Sequence, residues 1–406
     1  MRISTNTIYD SNVAALGQQQ TNLLKTQQQV ATGRKMQTAA DDPVAAARVI
    51  SVNQADAMNT QYAANRTAAR HTLSLAESNL QSVTSLLQDV QTAAVNAGNG
   101  SLSDIDRRTI ATELSGRLQE LVGLANSTDG AGNYLFSGFQ SKTIPFADVA
   151  GVISYNGDDG QRLAQANASR QIAASDSGAD IFMRIKNGNG TFITQATAAN
   201  TGTGIISPGA ITSPAALVAG NSYTISFSVA AGVTSYTVTG APTALAPAMA
   251  NVPYVSGQAI SFDGIQLDIQ GAPANGDTFT VTPSANESIF KTISDLITAL
   301  NTPVATVANG GATSLTNSLN RGLINLDNAL NNILSVRSSL GLRLQEVDAL
   351  QTAGDDLSLQ FKQTLSQLQD VDYNKAISDL SQQQMSLQAA QKSFATVSSL
   401  TLFSYI

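Results

Sequence analysis

Apolar residues recur at every seventh position near both ends of the chain. Tyr9, Leu16, Leu23 and Val30 keep this spacing at one end, and Tyr373, Leu380, Leu387 and Phe394 keep it at the other. Ala376, Ile377, Ala390 and Val397 fill three- and four-residue steps between them. Such spacing marks a helical seam. The other faces are expected to carry amides: Gln18, Gln19, Gln20, Gln27, Gln28 and Gln29 at the start, and Gln382, Gln383, Gln384, Gln388 and Gln391 at the end. Gln20 and Gln27, opposite Gln384 and Gln391, are expected to interrupt the seams at alternate core steps. About forty helical residues within Phe361–Ile406 would run roughly 60 Å. A stripe so narrow on a rod so long needs a partner helix, because helix propensity alone contributes little. Two arrangements satisfy the pattern: each end docks on its nearest domain, or the two ends form one coiled coil.

Between the ends the period changes twice. The first helix is predicted to close at Thr32-Gly33, where glycine takes the left-handed conformation that ends a helix. Asp41-Asp42-Pro43 predicts the next start, with Asp42 as cap and Pro43 in the first turn. From Leu73 through Leu80, Val83, Leu87 and Val90 the apolar steps alternate three and four until Gly98-Asn99-Gly100, so this helix is expected to exceed about fifty residues. Ser103 with Asp106 reads as a capping box for a helix through Leu114 and Leu121. Short strands are expected at Tyr134-Leu135-Phe136 and Val152–Tyr155, forming a small hairpin region.

From Asn187 to Asn286 there is no Lys, Arg or Glu, only three Asp, and seven of the ten prolines. Alternation along Tyr223–Val229, Tyr236–Val238, Ile260–Phe262, Ile265–Ile269 and Phe279–Val281 predicts four or five strands of an antiparallel module. Gly188–Gly220 shows no clear period. Helical steps resume at Ile289, and Leu319, Leu326, Ile333, Leu340 and Val347 give a second long helix, expected to pack on the one through Leu80 and to end at Gly354-Asp355-Asp356. The expected fold is mainly α with an inserted antiparallel β domain. Its terminal-helix coiled coil comprises 1–40 and 357–406, its helical core with a β-hairpin 41–187 and 287–356, and its β-rich outer domain 188–286.

Composition removes most chemistry. The net charge of -7 and the absence of any basic run argue against a nucleic-acid partner. There is no cysteine and one histidine, His71, so a thiol nucleophile, a thiolate metal site and a histidine triad are excluded within one chain. The pairs Asp41-Asp42, Asp158-Asp159 and Asp355-Asp356 sit beside Pro or Gly and read as caps and turns; none has calcium-loop spacing. Gly188-Asn189-Gly190 lacks the Lys-Ser/Thr of a phosphate loop. No enzyme activity, cofactor or metal is expected. No stretch of about eighteen apolar residues predicts a membrane span, and Met1–Thr5 leads into a polar helix without a signal-like apolar segment, so export is expected to use no cleavable leader.

Taken in order, several blocks are similar to motifs of the flagellin superfamily. They are Met1-Arg2-Ile3-Ser4-Thr5, Thr32-Gly33-Arg34-Lys35 with Asp41-Asp42-Pro43, and Tyr134-Leu135-Phe136-Ser137-Gly138. Tyr155-Asn156-Gly157-Asp158, Asp180-Ile181-Phe182, Val371-Asp372-Tyr373 and the closing Leu402-Phe403 complete the series. The likeness covers essentially the whole chain and is to the hook-associated members, in which Pro follows Asp-Asp, with filament flagellin as the alternative. It implies an extracellular structural subunit of the bacterial flagellum at the hook-filament junction, exported by the flagellar type III route. Implied partners are other copies of itself, a neighbouring hook-associated protein, flagellin and an export chaperone. The implied assembly interface is the paired seams: Tyr9, Leu16, Leu23 and Val30 with Tyr373, Ile377, Leu380, Leu387, Phe394 and Val397. From another class, the Thr- and Ser-rich β module as a glycan-binding adhesive domain is a further alternative, which no aromatic cluster supports.

Overall fold

The computed structural model describes residues 5–304 and 310–399. Met1-Arg2-Ile3-Ser4 and Leu402-Phe403, two of the motifs named above, lie outside the described residues. Contacts divide the chain into two compact units, Met1–Ala64 with Ala349–Ile406, and Asn65–Asp348. The helices are α1 (Thr5–Thr32), α2 (Pro43–Ala97), α3 (Asp104–Ala125), α4 (Ile289–Asn301), α5 (Gly311–Gln369) and α6 (Tyr373–Ser399). α2 and α5 contribute residues to both units.

Local signals place most helix ends. Gly33 has φ +70 after the last residue of α1. Asp42 Oδ1 accepts the Ala45 N–H at 3.0 Å ahead of the first full turn of α2. α2 is 55 residues long, as its uninterrupted apolar steps require. Ser103 and Asp106 form the reciprocal capping box at α3. The expected helix end at Gly354-Asp355-Asp356 is incorrect, because α5 runs unbroken for 59 residues. A lone glycine costs a helix only about 1 kcal/mol against alanine. Here Gly354 is buried, and its carbonyl accepts Asn59 Nδ2 at 2.7 Å. The break falls instead at Asp370–Asp372, where Asp372 Oδ1 accepts the Lys375 N–H and caps α6.

In the Asn65–Asp348 unit, α2 and α5 meet through Glu77 and Arg337 (2.8 Å) and through Arg70 and Asp348 (3.3 Å). Leu73, Leu80, Val83, Val90 and Ile333 are fully buried there. α4 packs Ile289, Phe290, Ile293, Leu296 and Leu300 inward. Phe290 joins Phe146 and Phe182 with ring centroids 5.2 and 5.9 Å away, and Phe136 extends the cluster at 5.6 Å from Phe182. Tyr134–Phe136 is not a strand. It makes only one isolated bridge, Thr128 with Tyr134, and the chain turns so that Phe136 enters the aromatic cluster. The small hairpin is formed by Phe146–Val149 and Val152–Tyr155. Three of the motif blocks converge here: Tyr155 Oη donates to the Phe136 carbonyl, Asp158 Oδ1 accepts the Phe139 and Gly160 N–H groups, and any Cβ on Gly138 would strike Asp158. Their residue types are fixed by this tight turn packing.

The inserted module has more strands than expected. One antiparallel sheet orders Met249–Pro253, Val233–Ala241, Ser222–Ala230, Thr278–Pro283 and Phe192–Ala196. A second contains Ala259–Phe262, Ile265–Gln270 and Ile205–Ile206, with Ala210–Ile211 also paired to Ile265–Gln270. Within Gly188–Gly220 the strands Ile205–Ile206 and Ala210–Ile211 are too short to show a period, and Phe192–Ala196 buries three successive residues instead of alternating, so the stretch read as irregular. Phe227, Tyr236, Phe279, Leu267 and Ile269 fill the core between the sheets. The module leaves and rejoins the helices at one place, where Ile185–Lys186 pairs with Asn286–Glu287. α5 holds nearby backbone with asparagines three to eight residues apart: Asn317 to Ile206 N and Gly204 O, Asn325 to Gly188 N, Asn328 to Gly188 O, and Asn332 to Ile181 O.

Candidate assembly interface

α1 and α6 pack against each other in antiparallel sense, one of the two arrangements the seams allow. The Tyr9 and Phe394 rings are 5.2 Å apart at one end. At the other, Tyr373 Oη lies 2.9 Å from where a Cβ on Gly33 would stand, and the positive φ favours glycine there. The remaining motif blocks meet at this corner. Gly33 O accepts the Val371 N–H at 2.9 Å, Gln369 O accepts the Lys35 N–H, and Arg34 bridges Asp370. Asp41 is locked beneath it: Lys25 Nζ lies 2.7 Å from Oδ1, while Oδ2 accepts the Gln37 and Thr38 N–H groups. The Lys25 contact first, then the two N–H groups, hold the Asp41 carboxyl far below the usual carboxylate range.

Placed on this pair, the predicted residues separate into groups. Leu16, Leu23, Val30, Leu380, Leu387 and Phe394 are half-buried. Tyr9 touches Phe394 yet remains 54% exposed, and Tyr373 covers Gly33 at the corner while 51% exposed. Ile377 is exposed on the outer surface, whereas its neighbour Ala376 is buried. Val397 lies in α6, but its side chain is outside the described residues.

The glutamine expectation needs correction. Gln20, Gln27, Gln384 and Gln391 are exposed, and Gln19 and Gln383, expected on outer faces, are the ones turned into the seam. The reason is geometric. The row three residues beyond Tyr9, Leu16, Leu23 and Val30 reads Asn12, Gln19, Thr26 and Gly33, which completes the helical face but shows no apolar signal. Thr26 is buried, with its hydroxyl donating to the Asn22 carbonyl. Sequence reading also passed over Val13, Leu24 and Met385, which stay exposed on the outside of the pair.

Chemistry of other kinds finds little support. His71 is exposed on α2. Among the described residues no three His, Cys, Asp or Glu side chains cluster as metal ligands, and no helix is long and apolar enough to cross a membrane. A cleft of about 160 Å³ where the β module meets α5 is lined by Thr194, Asn317, Arg321 and Ile324 among others, with no aromatic ring on which a sugar would stack.

Family comparison accounts for the motif order. Residues 3–141 match the bacterial flagellin N-terminal helical region and residues 323–406 the C-terminal helical region. The chain belongs to the flagellin family. It is 31% identical over 405 residues to flagellar hook-associated protein 3 of Salmonella typhimurium, covering 99% of each chain. The crystal structure of flagellar hook-associated protein 3 from Legionella pneumophila superposes with a TM-score of 0.73 at 35% identity, over 78% of this chain and 98% of that one. FlgL of Xanthomonas campestris gives 0.68 at 31% identity, over 77% and 99%. The helical ends and central antiparallel β domain are therefore the family fold.

Proposed function

We propose that this protein is a structural subunit of the bacterial flagellum that joins hook to filament, and that the α1–α6 pair is the surface through which copies assemble. The observation that carries the reading is the full-length likeness to hook-associated protein 3, at 31% identity over 99% of both chains. The half-buried seam and the exposed Val13, Leu24 and Met385 support the assignment of the surface. Its neighbours are other copies of itself, a second hook-associated protein on one side and flagellin on the other. An export chaperone and passage through the flagellar type III apparatus belong to the same reading. The role is mechanical and needs no catalytic group. Immuno-electron microscopy of intact flagella tests it: a single band at the filament base is expected, and label along the whole filament would assign the chain to filament flagellin instead.

A further inference from the structure

Two of the three arginines on α5 have a partner. Arg337 pairs with Glu77 at 2.8 Å, and Arg343 with Asp176 at 2.6 Å. Arg321, the third, has neither a carboxylate nor another hydrogen-bond acceptor among the described residues, yet it is half-buried where α5 meets the β module. It lines the cleft of about 160 Å³ described above and, toward α4, a second of about 330 Å³. Asp295, the one acidic side chain on either wall, is held by Lys291 Nζ at 2.6 Å.

The polar groups of the first cleft divide by what they already do. Asn317 bonds Ile206 N at 3.1 Å and Gly204 O at 3.0 Å, and Thr194 Oγ1 donates to Ser207 O at 2.8 Å, so both hold the wall together. Ser314, Ser318 and Asn320 on α5, and Gln195 on the strand Phe192–Ala196, make no side-chain hydrogen bond among the described residues, and each is able to donate one. Ser314, Ser318 and Arg321 follow at four- and three-residue steps, so they share one face of the helix. Ile193, Ile206 and Ile324 supply apolar lining. A partly buried guanidinium among free donors, with no free acid, lacks one anion. A carboxylate matches the planar guanidinium fork with two hydrogen bonds and one charge, whereas the higher charge of a phosphate calls for more than one cation. The first cleft lies below the roughly 300–1,000 Å³ of pockets that take drug-sized ligands, so the carboxylate sits on a short stem.

We propose that this cleft is a receptor for one carboxylate on a short aliphatic stem, with Arg321 meeting its charge, the free hydroxyl and amide donors its remaining lone pairs, and the isoleucines its methylenes. Two sources carry that group: a glutamate side chain of a second copy of this chain, or a free short-chain acid. The probe is N-acetylglutamate amide, with N-acetylglutamine amide as its neutral counterpart, titrated at constant ionic strength into the purified full-length protein. Amide NMR signals of Ile206, Ser318 and Ile324 are expected to shift and saturate with the acid at a concentration roughly tenfold lower than with the neutral compound, and Arg321→Gln is expected to remove that preference. Equal response to both compounds, no saturation, or an unchanged preference in Arg321→Gln would overturn the proposal. Phenylglyoxal labelling of Arg321 in dialysed, isolated flagella then separates the sources. Labelling slower than in the monomer assigns the carboxylate to a neighbouring copy, and labelling at the monomer's rate that the added probe slows assigns it to a free acid. Labelling that neither assembly nor the probe slows would overturn the site. If the protein is absent from flagella, the assembly reading fails while the titration still decides this proposal.

Discussion

The α1–α6 pair and the core of the Asn65–Asp348 unit use the same helical period and nearly the same aliphatic residues, yet they bury them to different depths. In the core, Leu73, Leu80, Val83, Val90 and Ile333 have no exposed surface, being enclosed on every side within their unit. In the terminal pair each seam leucine has one partner helix and remains partly exposed, and every second level is polar or small. At about 25 cal/mol per Å² of apolar surface removed from water, half-burial of a few leucines sets little against the about 1 to 2 kcal/mol of backbone entropy lost per ordered residue. The comparison separates two uses of one pattern. A stripe enclosed on all sides builds a domain, and a stripe covered on one side leaves a face which, in the proposed assembly, neighbours complete.

The largest expected effect breaks the surface without touching the core. Leu387→Asp places a charge on the half-buried seam, at a cost of several kcal/mol once neighbours exclude water. Filament attachment should be abolished, while the thermal melt of the purified subunit stays that of wild type. Normal motility and filament length in this variant would remove the seam from the assembly account.

A matched pair of truncations then sharpens the contrast. Leu80→Ala in the core should lower unfolding free energy by about 2 to 5 kcal/mol, the usual range for a fully enclosed leucine. Leu380→Ala should cost the free subunit less than Leu80→Ala, because its site is only partly closed to water and is covered by one helix. Denaturant titration of both variants measures the difference, and equal losses would mean that the terminal pair is enclosed as deeply as the core.

A smaller effect concerns pH. Asp41 in the terminal unit and Asp158 in the other both have carboxyl groups held below their ordinary value, the first chiefly by the Lys25 contact, the second by the Phe139 and Gly160 N–H groups. For each, the folded state binds its proton later than the unfolded state as pH falls. Their stabilising contribution is therefore complete above the ordinary carboxylate value of about 4 and is lost as pH drops through the lower folded value. Both are solvent-facing, so the effect is modest. Carboxyl chemical shifts followed by NMR on the free subunit should show Asp158 titrating below the ordinary aspartate value, and Asp41 joining it only where the Lys25 corner is formed. An Asp41 held below the ordinary value in the free subunit would mean that the corner around Lys25, Gly33 and Tyr373 is already locked before neighbours cover the pair.

What could be read from the sequence depended on whether a signal was local. Gly33, Asp42-Pro43 and Ser103 with Asp106 act within a few residues, and each fell where its chemistry placed it. Gly354 did not, because its burial against Asn59 is a tertiary fact that no neighbouring residue announces. Gln19 and Gln383 were assigned to the outside for a related reason. Hydrophobic periodicity marks only the apolar row of a seam, and here the second row is polar, so its inward position appears only when the helices are paired. The strands at Ile205–Ile206 and Ala210–Ile211 were too short to carry a period.

The central claim is that the terminal pair is incomplete until neighbouring subunits cover it. Hydrogen exchange of residues 9–30 and 376–394, measured on dilute monomer and on the same protein in isolated flagella, tests it most directly. The account predicts exchange close to that of an unfolded chain in the monomer, with residues 73–94 and 319–347 protected, and strong protection of all four segments in the organelle. Slow exchange of the terminal segments in the monomer would show that the pair is complete on its own and would contradict the account.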